Sequence, residues 1–273
     1  MPALFELESV TFSYDGVSAL DRLTMTVQSG QRVALLGANG SGKSTLLKLL
    51  DGLQFAAAGR LSFCGDVLTE ERFAEDAFQF SFRRRVGFVF QNPDVQLFSP
   101  SVLDELEFGP LQLRLPSNEM RRRVSDAMDL FEIGHLADRA PHHLSGGEKK
   151  KVALASVLVM QPEVVLLDEP TSGLDPRSQT NLINLLDKWD DGTKTIITAT
   201  HDLHMLEDLA GQCVILERGR LIAEGNTADI LEDRDLLQRA NLIHAHRSMR
   251  DTGQNSERHS GMHGHHHLHE EHK

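Results

Sequence analysis

Cysteine is scarce in this chain: only Cys64 and Cys213 occur among 273 residues, far apart and in no C-x-x-C arrangement. That argues against a disulfide framework and against a zinc ribbon, and it fits a reducing cytosol. Long apolar runs are missing too. No stretch approaches the roughly 18 to 20 consecutive apolar residues that a membrane span needs, and the N-terminus lacks the basic-then-apolar order of a signal peptide. The chain is therefore expected not to cross a membrane alone, while attachment through partner proteins stays open. Positive charge is in deficit, with a formal net charge of -12 relieved locally by Arg83-Arg84-Arg85, Arg121-Arg122-Arg123 and Lys149-Lys150-Lys151. Counterion release from nucleic acid needs Lys and Arg gathered on one face, so no nucleic-acid partner is expected. The triplets read as solvated faces or local contacts.

What remains, 40% hydrophobic and 25% charged, is ordinary globular composition with material for one large or two modest domains. Within it, Gly37-Ala38-Asn39-Gly40-Ser41-Gly42-Lys43-Ser44 fits G-x-x-x-x-G-K-[ST]. The flanks agree. Arg32 to Leu36 reads as a buried strand, and Thr45 to Leu50 as a helix with Gly52 a C-terminal cap. Glycines let the backbone bend around a phosphate, so Gly37, Asn39, Gly40, Ser41, Gly42, Lys43, Ser44 and Thr45 form a candidate nucleotide cradle. Lys43 is placed to reach the β- and γ-phosphates and Ser44 to ligate magnesium.

A second acid-bearing strand follows much later. Val164 to Leu167 is wholly apolar and ends in Asp168-Glu169-Pro170, and paired acids there are costly to bury without a use. Asp168 is placed to hold magnesium, and Glu169 to polarise the water that attacks the γ-phosphate. Two more strands end in polar residues: Val86 to Phe90 stops at Gln91, and Lys194 to Thr200 stops at His201. Ligands bind at the carboxyl ends of parallel strands, so Gln91, a candidate magnesium or water contact, and His201 join the site. Tyr14, the only tyrosine, ends an N-terminal strand and is suited either to stack on adenine or to pack on a sheet.

Between about residues 92 and 160 the apolar spacing is helical, divided by Pro110, Pro116 and Pro141, and reads as a helical insertion. It carries Leu144-Ser145-Gly146-Gly147-Glu148 ahead of a helix that runs to Met160. Ser145 and Glu148 have capping-box spacing, and the two glycines leave an open backbone suited to a second anion contact. Upstream, alternation from Leu4 to Gly30 with turns at Asp15-Gly16 and Ser29-Gly30 predicts antiparallel strands. Downstream, Cys213 to Ile222 predicts a hairpin turning at Arg218-Gly219, followed by one helix from about Thr227 to Ile243. The last stretch, 251–273, has almost no apolar content and is expected to be disordered. Seven of the 14 histidines lie between His259 and His272, and His263, His265, His266, His267 and His269 are candidate ligands for a transition metal. A fusion tag is the competing reading of that tract.

In order and spacing, these motifs over about residues 5 to 230 resemble the ATP-binding cassette (ABC) ATPases. The resemblance implies an α/β fold: a P-loop NTPase core with a parallel sheet, an N-terminal antiparallel β subdomain and a helical insertion. It assigns 1–230 to the ATPase domain, 231–250 to a C-terminal helix or linker, and 251–273 to the histidine-rich tail. It also implies ATP and Mg2+ as ligands, and a dimer, expected to be of two like chains, in which each phosphate loop faces the family's signature stretch, here Leu144-Ser145-Gly146-Gly147-Glu148, of the other. There Ser145, Gly146 and Gly147 would contact the nucleotide across the interface, Glu169 would activate water, and His201 would hold the γ-phosphate. The segments Phe90 to Phe98 and Glu105 to Pro110 are similar to the energy-coupling-factor branch, especially ATPases of cobalt and nickel importers. That branch implies integral membrane subunits as partners and a peripheral place on the cytoplasmic face of the cell membrane. A transport motor for a vitamin or other small molecule is the alternative, and a soluble non-transport ABC ATPase a further one.

Overall fold

The computed structural model describes residues 2–243, which fall in one compact unit; the histidine-rich tract lies outside the described residues. The chain opens with β1 (Ala3–Tyr14) and β2 (Val17–Gln28), paired antiparallel across Asp15-Gly16, both at positive φ. Their alternation buries Phe5, Leu7 and Val10 against Leu20, Leu23 and Val27. Next come β3 (Arg32–Leu36), α1 (Lys43–Leu50), β4 (Ala58–Phe63) and β5 (Asp66–Val67). The polar and aromatic stretch that follows folds into α2 (Glu70–Phe73) and α3 (Asp76–Arg85) before β6 (Val86–Val89). There the rings of Phe73, Phe78 and Phe82 pack on one another.

The helical layer comprises α4 (Val102–Gln112), α5 (Ser117–Phe131) and α6 (Gly146–Leu158). Pro110 does not separate two helices. It sits in the last turn of α4, which ends two residues later at Gln112. Then follow β7 (Val164–Asp168), α7 (Pro176–Trp189), β8 (Thr195–Thr200), α8 (Leu206–Leu209), β9 (Gln212–Glu217) and β10 (Arg220–Asn226). The single helix expected after that is two, α9 (Thr227–Glu232) and α10 (Arg234–Arg239), broken at Asp233. Asp233 leaves helical dihedrals and caps the second helix through Leu236 N.

Two sheets organise these elements. One is antiparallel, in the order β2-β1-β4-β5; the other runs β10-β9-β3-β8-β7-β6 and is parallel except for the edge strand β10. β7 explains its own apolar run: Val164 and Leu166 enter the core shared with α1 and the antiparallel sheet, while Val165 and Leu167 enter the core under α4 to α6. A third core joins Leu36 and Ile215 to Leu206, Leu236 and Leu237, so α10 is part of the packed unit.

Candidate active site

Parallel pairing brings the candidate residues together. β3 and β8 are registered Leu36 with Thr200, β7 and β8 Asp168 with Ala199, and β6 and β7 Val89 with Leu167. The residues just past these ends, Gly37, Glu169, His201 and Gln91, therefore emerge at one edge of the sheet. Here lies a cavity of about 540 Å3 lined by Tyr14, Asn39 through Thr45, Gln91 and Glu169.

The phosphate loop bends between β3 and α1, with Gly42 at φ 109° as the helix N-cap. Lys43 is buried; its Nζ donates to the Gly37 carbonyl at 2.7 Å and lies 3.9 Å from Glu169 Oε1. Burial pulls its pKa below the ordinary lysine value, against the opposing pull of Glu169 and Asp168. Ser41 Oγ is buried with no partner among the described residues, a hydroxyl able to donate beside the loop amides. The loop is supported from outside its own segment. Gly219, in the β9–β10 turn, donates its N–H to the Ser41 carbonyl at 2.9 Å, and both Gly42 and Gly219 abut the Ala19 carbonyl of β2. Nothing local in the sequence marks Gly219 as part of the cradle; its only signal is the Arg-Gly turn.

Asp168 is buried at the end of β7 and accepts a hydrogen bond from Ser44 Oγ at 3.0 Å. Burial raises its pKa, with the Ser44 hydrogen bond opposing and the neighbouring Glu169 charge adding to the rise. Ser44 and Asp168 offer hard oxygen donors side by side, with Gln91 on the same cavity, a set that fits magnesium. Glu169 is 5% exposed and takes φ 47°, held by its own N–H to the Ala199 carbonyl at 2.9 Å. That turn sets its Oε1 2.8 Å from His201 Nδ1, while the His201 ring keeps a solvent face. Tyr14 packs edge-on to Phe12 at 4.8 Å, as the sheet-packing reading expects, and its ring also lines the cavity.

Ser145, Gly146 and Gly147 are not brought to this cavity. They open α6 elsewhere, and Ser145 and Gly147 line a separate cavity of about 250 Å3 with Leu174 and Ser178. The capping box is formed: Ser145 Oγ accepts from Glu148 N, and Glu148 Oε2 accepts from Ser145 N at 2.8 Å. The Ser145 hydroxyl, donating to Glu148 Oε2 at 2.7 Å, and then the Ser145 N–H hold the Glu148 carboxyl below the usual range. A Cβ on Gly146 would meet nothing within 4 Å, so this turn is open to whatever approaches.

A third feature is an apolar groove of about 380 Å3 bordered by Leu53, Phe88, Phe98, Phe108 and Met160. Phe98 is 66% exposed and meets Phe108 edge to face at 4.9 Å. The loop carrying Phe98 is tied down by buried Glu105, whose Oε2 accepts from Phe98 N at 3.0 Å and Ser99 N at 2.8 Å.

The ABC transporter family model matches residues 20–172. A nickel import ATP-binding protein, NikO, of Rhodobacter capsulatus is 55% identical over 89% of this chain and 97% of its own length. An energy-coupling factor transporter ATP-binding protein, EcfA, of Methanothermobacter thermautotrophicus is 42% identical over 88% of this chain and 76% of its own length. Among solved structures, cbiO1 of Clostridium perfringens, part of the ABC transporter complex cbiONQ, has a TM-score of 0.75 at 36% identity, covering 89% of this chain and 96% of that one. The phosphate loop, acid-ended β7 and glycine-opened α6 on this two-sheet frame, together with those matches, establish that the chain belongs to the ABC transporter family.

Proposed function

We propose that this chain hydrolyses ATP to drive an importer of the energy-coupling-factor type, with a transition-metal ion, nickel and/or cobalt, as cargo. The observation that carries the reading is the buried Glu169 carboxylate at the end of β7, between Lys43 and His201 and on the wall of the phosphate-loop cavity. Similarity to the nickel import protein along nearly the whole chain supports the cargo. The histidines from His263 to His269 are of the type that binds such ions.

In this reading Lys43 leaves the Gly37 carbonyl for the β- and γ-phosphates, and the amides of the loop and Ser41 Oγ take the remaining phosphate oxygens. Ser44, Asp168 and Gln91 would hold a magnesium ion, which when bound neutralises charge on those phosphates. Glu169 accepts the proton of the attacking water, and His201, hydrogen-bonded to it, keeps the γ-phosphate in line. Tyr14 presents a ring to adenine. Ser145, Gly146 and Gly147 serve the nucleotide of a second, like chain. Their place on a different cavity from the phosphate loop supports that division.

The groove of Phe98 and Phe108 takes an integral membrane subunit, which puts the chain at the cytoplasmic face of the membrane as a peripheral component. Among the described residues no helix is long and apolar enough to cross a membrane. The test is nickel and cobalt uptake by cells carrying the chain with its genomic neighbours. Glu169→Gln should stop uptake of the cargo metal; uptake of both at the wild-type rate sinks the proposal.

A further inference from the structure

The signature helix and the carboxylate of the same chain are joined by one side chain that the reaction described above does not use. Lys150 lies one turn into α6, half-buried, and its Nζ donates to the carbonyls of Glu169 at 3.2 Å and Pro170 at 3.0 Å. Its neighbours in the basic triplet face elsewhere: Lys149 Nζ meets Asp94 at 2.6 Å, and Lys151 Nζ lies 3.9 Å from Glu132. The triplet is therefore three separate local contacts. Only the middle one addresses the site.

The carbonyls that Lys150 holds belong to an unusual backbone. Glu169 sits at φ 47°, in the left-handed region that residues with a Cβ rarely occupy. Its N–H side is pinned to β8 through Ala199, and its C=O side is pinned to α6 through Lys150. Rotation about that residue would swing its carboxylate away from His201 and Lys43. The Lys150 side chain also brings positive charge to a segment carrying two successive acids; burial pulls its pKa below the ordinary lysine value, with the Glu169 charge opposing.

We propose that Lys150 is a positioning residue for Glu169, so that the seating of α6 sets the carboxylate in its hydrolytic place. This rests on the reading of Glu169 as the group that activates water. Because Ser145 to Gly147 open the same helix, a phosphate bound there from a second chain acts on the helix that holds this chain's own Glu169. Each site then senses whether the other chain's nucleotide is in place.

The experiment measures ATP turnover by the full chain as wild type, Lys150→Gln, Lys150→Arg and Glu169→Gln, with binding of a fluorescent ATP analogue and melting temperature for each. Lys150→Gln is expected to lower kcat roughly 10- to 100-fold, the scale of a catalytic group displaced by an ångström or less. KM and analogue affinity should stay within about twofold, and Lys150→Arg, which keeps the charge and the donors, should recover to within about threefold of wild type. Wild-type kcat in Lys150→Gln overturns the proposal. So does Lys150→Arg as slow as Lys150→Gln, or a Lys150→Gln chain that loses nucleotide affinity or fails to fold, since each assigns the lysine to structure alone. Glu169→Gln separates the two levels: if it turns over ATP normally, the parent reading fails, and if it is inactive while Lys150→Gln is not, only this inference fails.

Discussion

Gly219→Ala is a change well outside every nucleotide-binding motif, and it should damage ATP binding. Gly219 has φ 78°, and a Cβ built on it would lie 2.5 Å from the Ala19 carbonyl oxygen and 2.8 Å from Leu20 Cα, both backbone atoms that cannot rotate aside. The left-handed conformation costs a residue with a Cβ about 1 to 2 kcal/mol, and forced overpacking about 1 to 3 kcal/mol more. Together they give about 2 to 5 kcal/mol, or a melting temperature lower by roughly 4 to 20 °C for a unit of this size. The strain does not stay in the turn. The hairpin can relieve it only by moving off β2, which breaks the 2.9 Å hydrogen bond from Gly219 N to the Ser41 carbonyl and tilts the phosphate loop. A loss of even ~1.4 kcal/mol in phosphate contacts is tenfold in affinity, so the ATP dissociation constant should rise about tenfold or more.

The control is Gly65→Ala in the β4–β5 turn, with φ 85° and nothing within 4 Å of its Cβ. It carries the conformational cost without the clash, and ATP affinity should not change. Thermal melting and titration with a fluorescent ATP analogue read both effects. A Gly219→Ala chain that binds ATP as wild type does, and melts with the Gly65→Ala control, would refute the reasoning.

Two further predictions concern the groove and its border. Asp51 is 4% exposed beside Arg83 at 2.9 Å, and burial pushes its carboxyl up from 3.8 to about 7 despite that partner. The unfolded chain therefore ionises first, and as pH rises through this window the folded state alone holds the proton. Asp51 should lower stability progressively across that window and level off above pH about 7; the melting-temperature gain of Asp51→Asn over wild type should grow over the same range, and parallel melting curves would contradict this. Glu105→Ala strips the acceptor from two part-buried backbone N–H groups, at about 0.5 to 1.5 kcal/mol for each hydrogen bond lost. Metal uptake should then fall more than ATP turnover by the purified chain, because the Phe98 loop is freed while the phosphate loop is untouched; equal losses in both assays would count against the groove as the site of membrane coupling.

How much of this was legible in the sequence depends on whether the signal is local. The phosphate loop, the acid-ended β7 and the Ser145–Glu148 capping box are each written in contiguous residues, and each forms as the pattern implies. The Asp15-Gly16 and Arg218-Gly219 turns are equally local. Residues 70–85 escaped because α2 and α3 are short and their phenylalanines follow no sustained period; ring packing against α1 and β4 decides their shape. Asp233 interrupts an apolar spacing that otherwise runs on, and its capping bond to Leu236 N wins over continuity. In the site, strand ends could be inferred to converge, but Glu169's left-handed φ, Gly219 beneath the loop and Lys150 behind the carboxylate depend on contacts across 19 to 178 positions of chain. No local pattern encodes such pairings.

The most direct test of the central claim is radiolabelled nickel and cobalt uptake in cells expressing the full chain with its genomic neighbours, alongside Glu169→Gln and a chain ending at Arg250. An importer driven by ATP hydrolysis at Glu169 predicts uptake of nickel, cobalt or both in wild type and background levels in Glu169→Gln, with the shortened chain reporting what the histidines add to delivery. Uptake of both metals at the wild-type rate in Glu169→Gln would contradict it and return the cargo to some other solute.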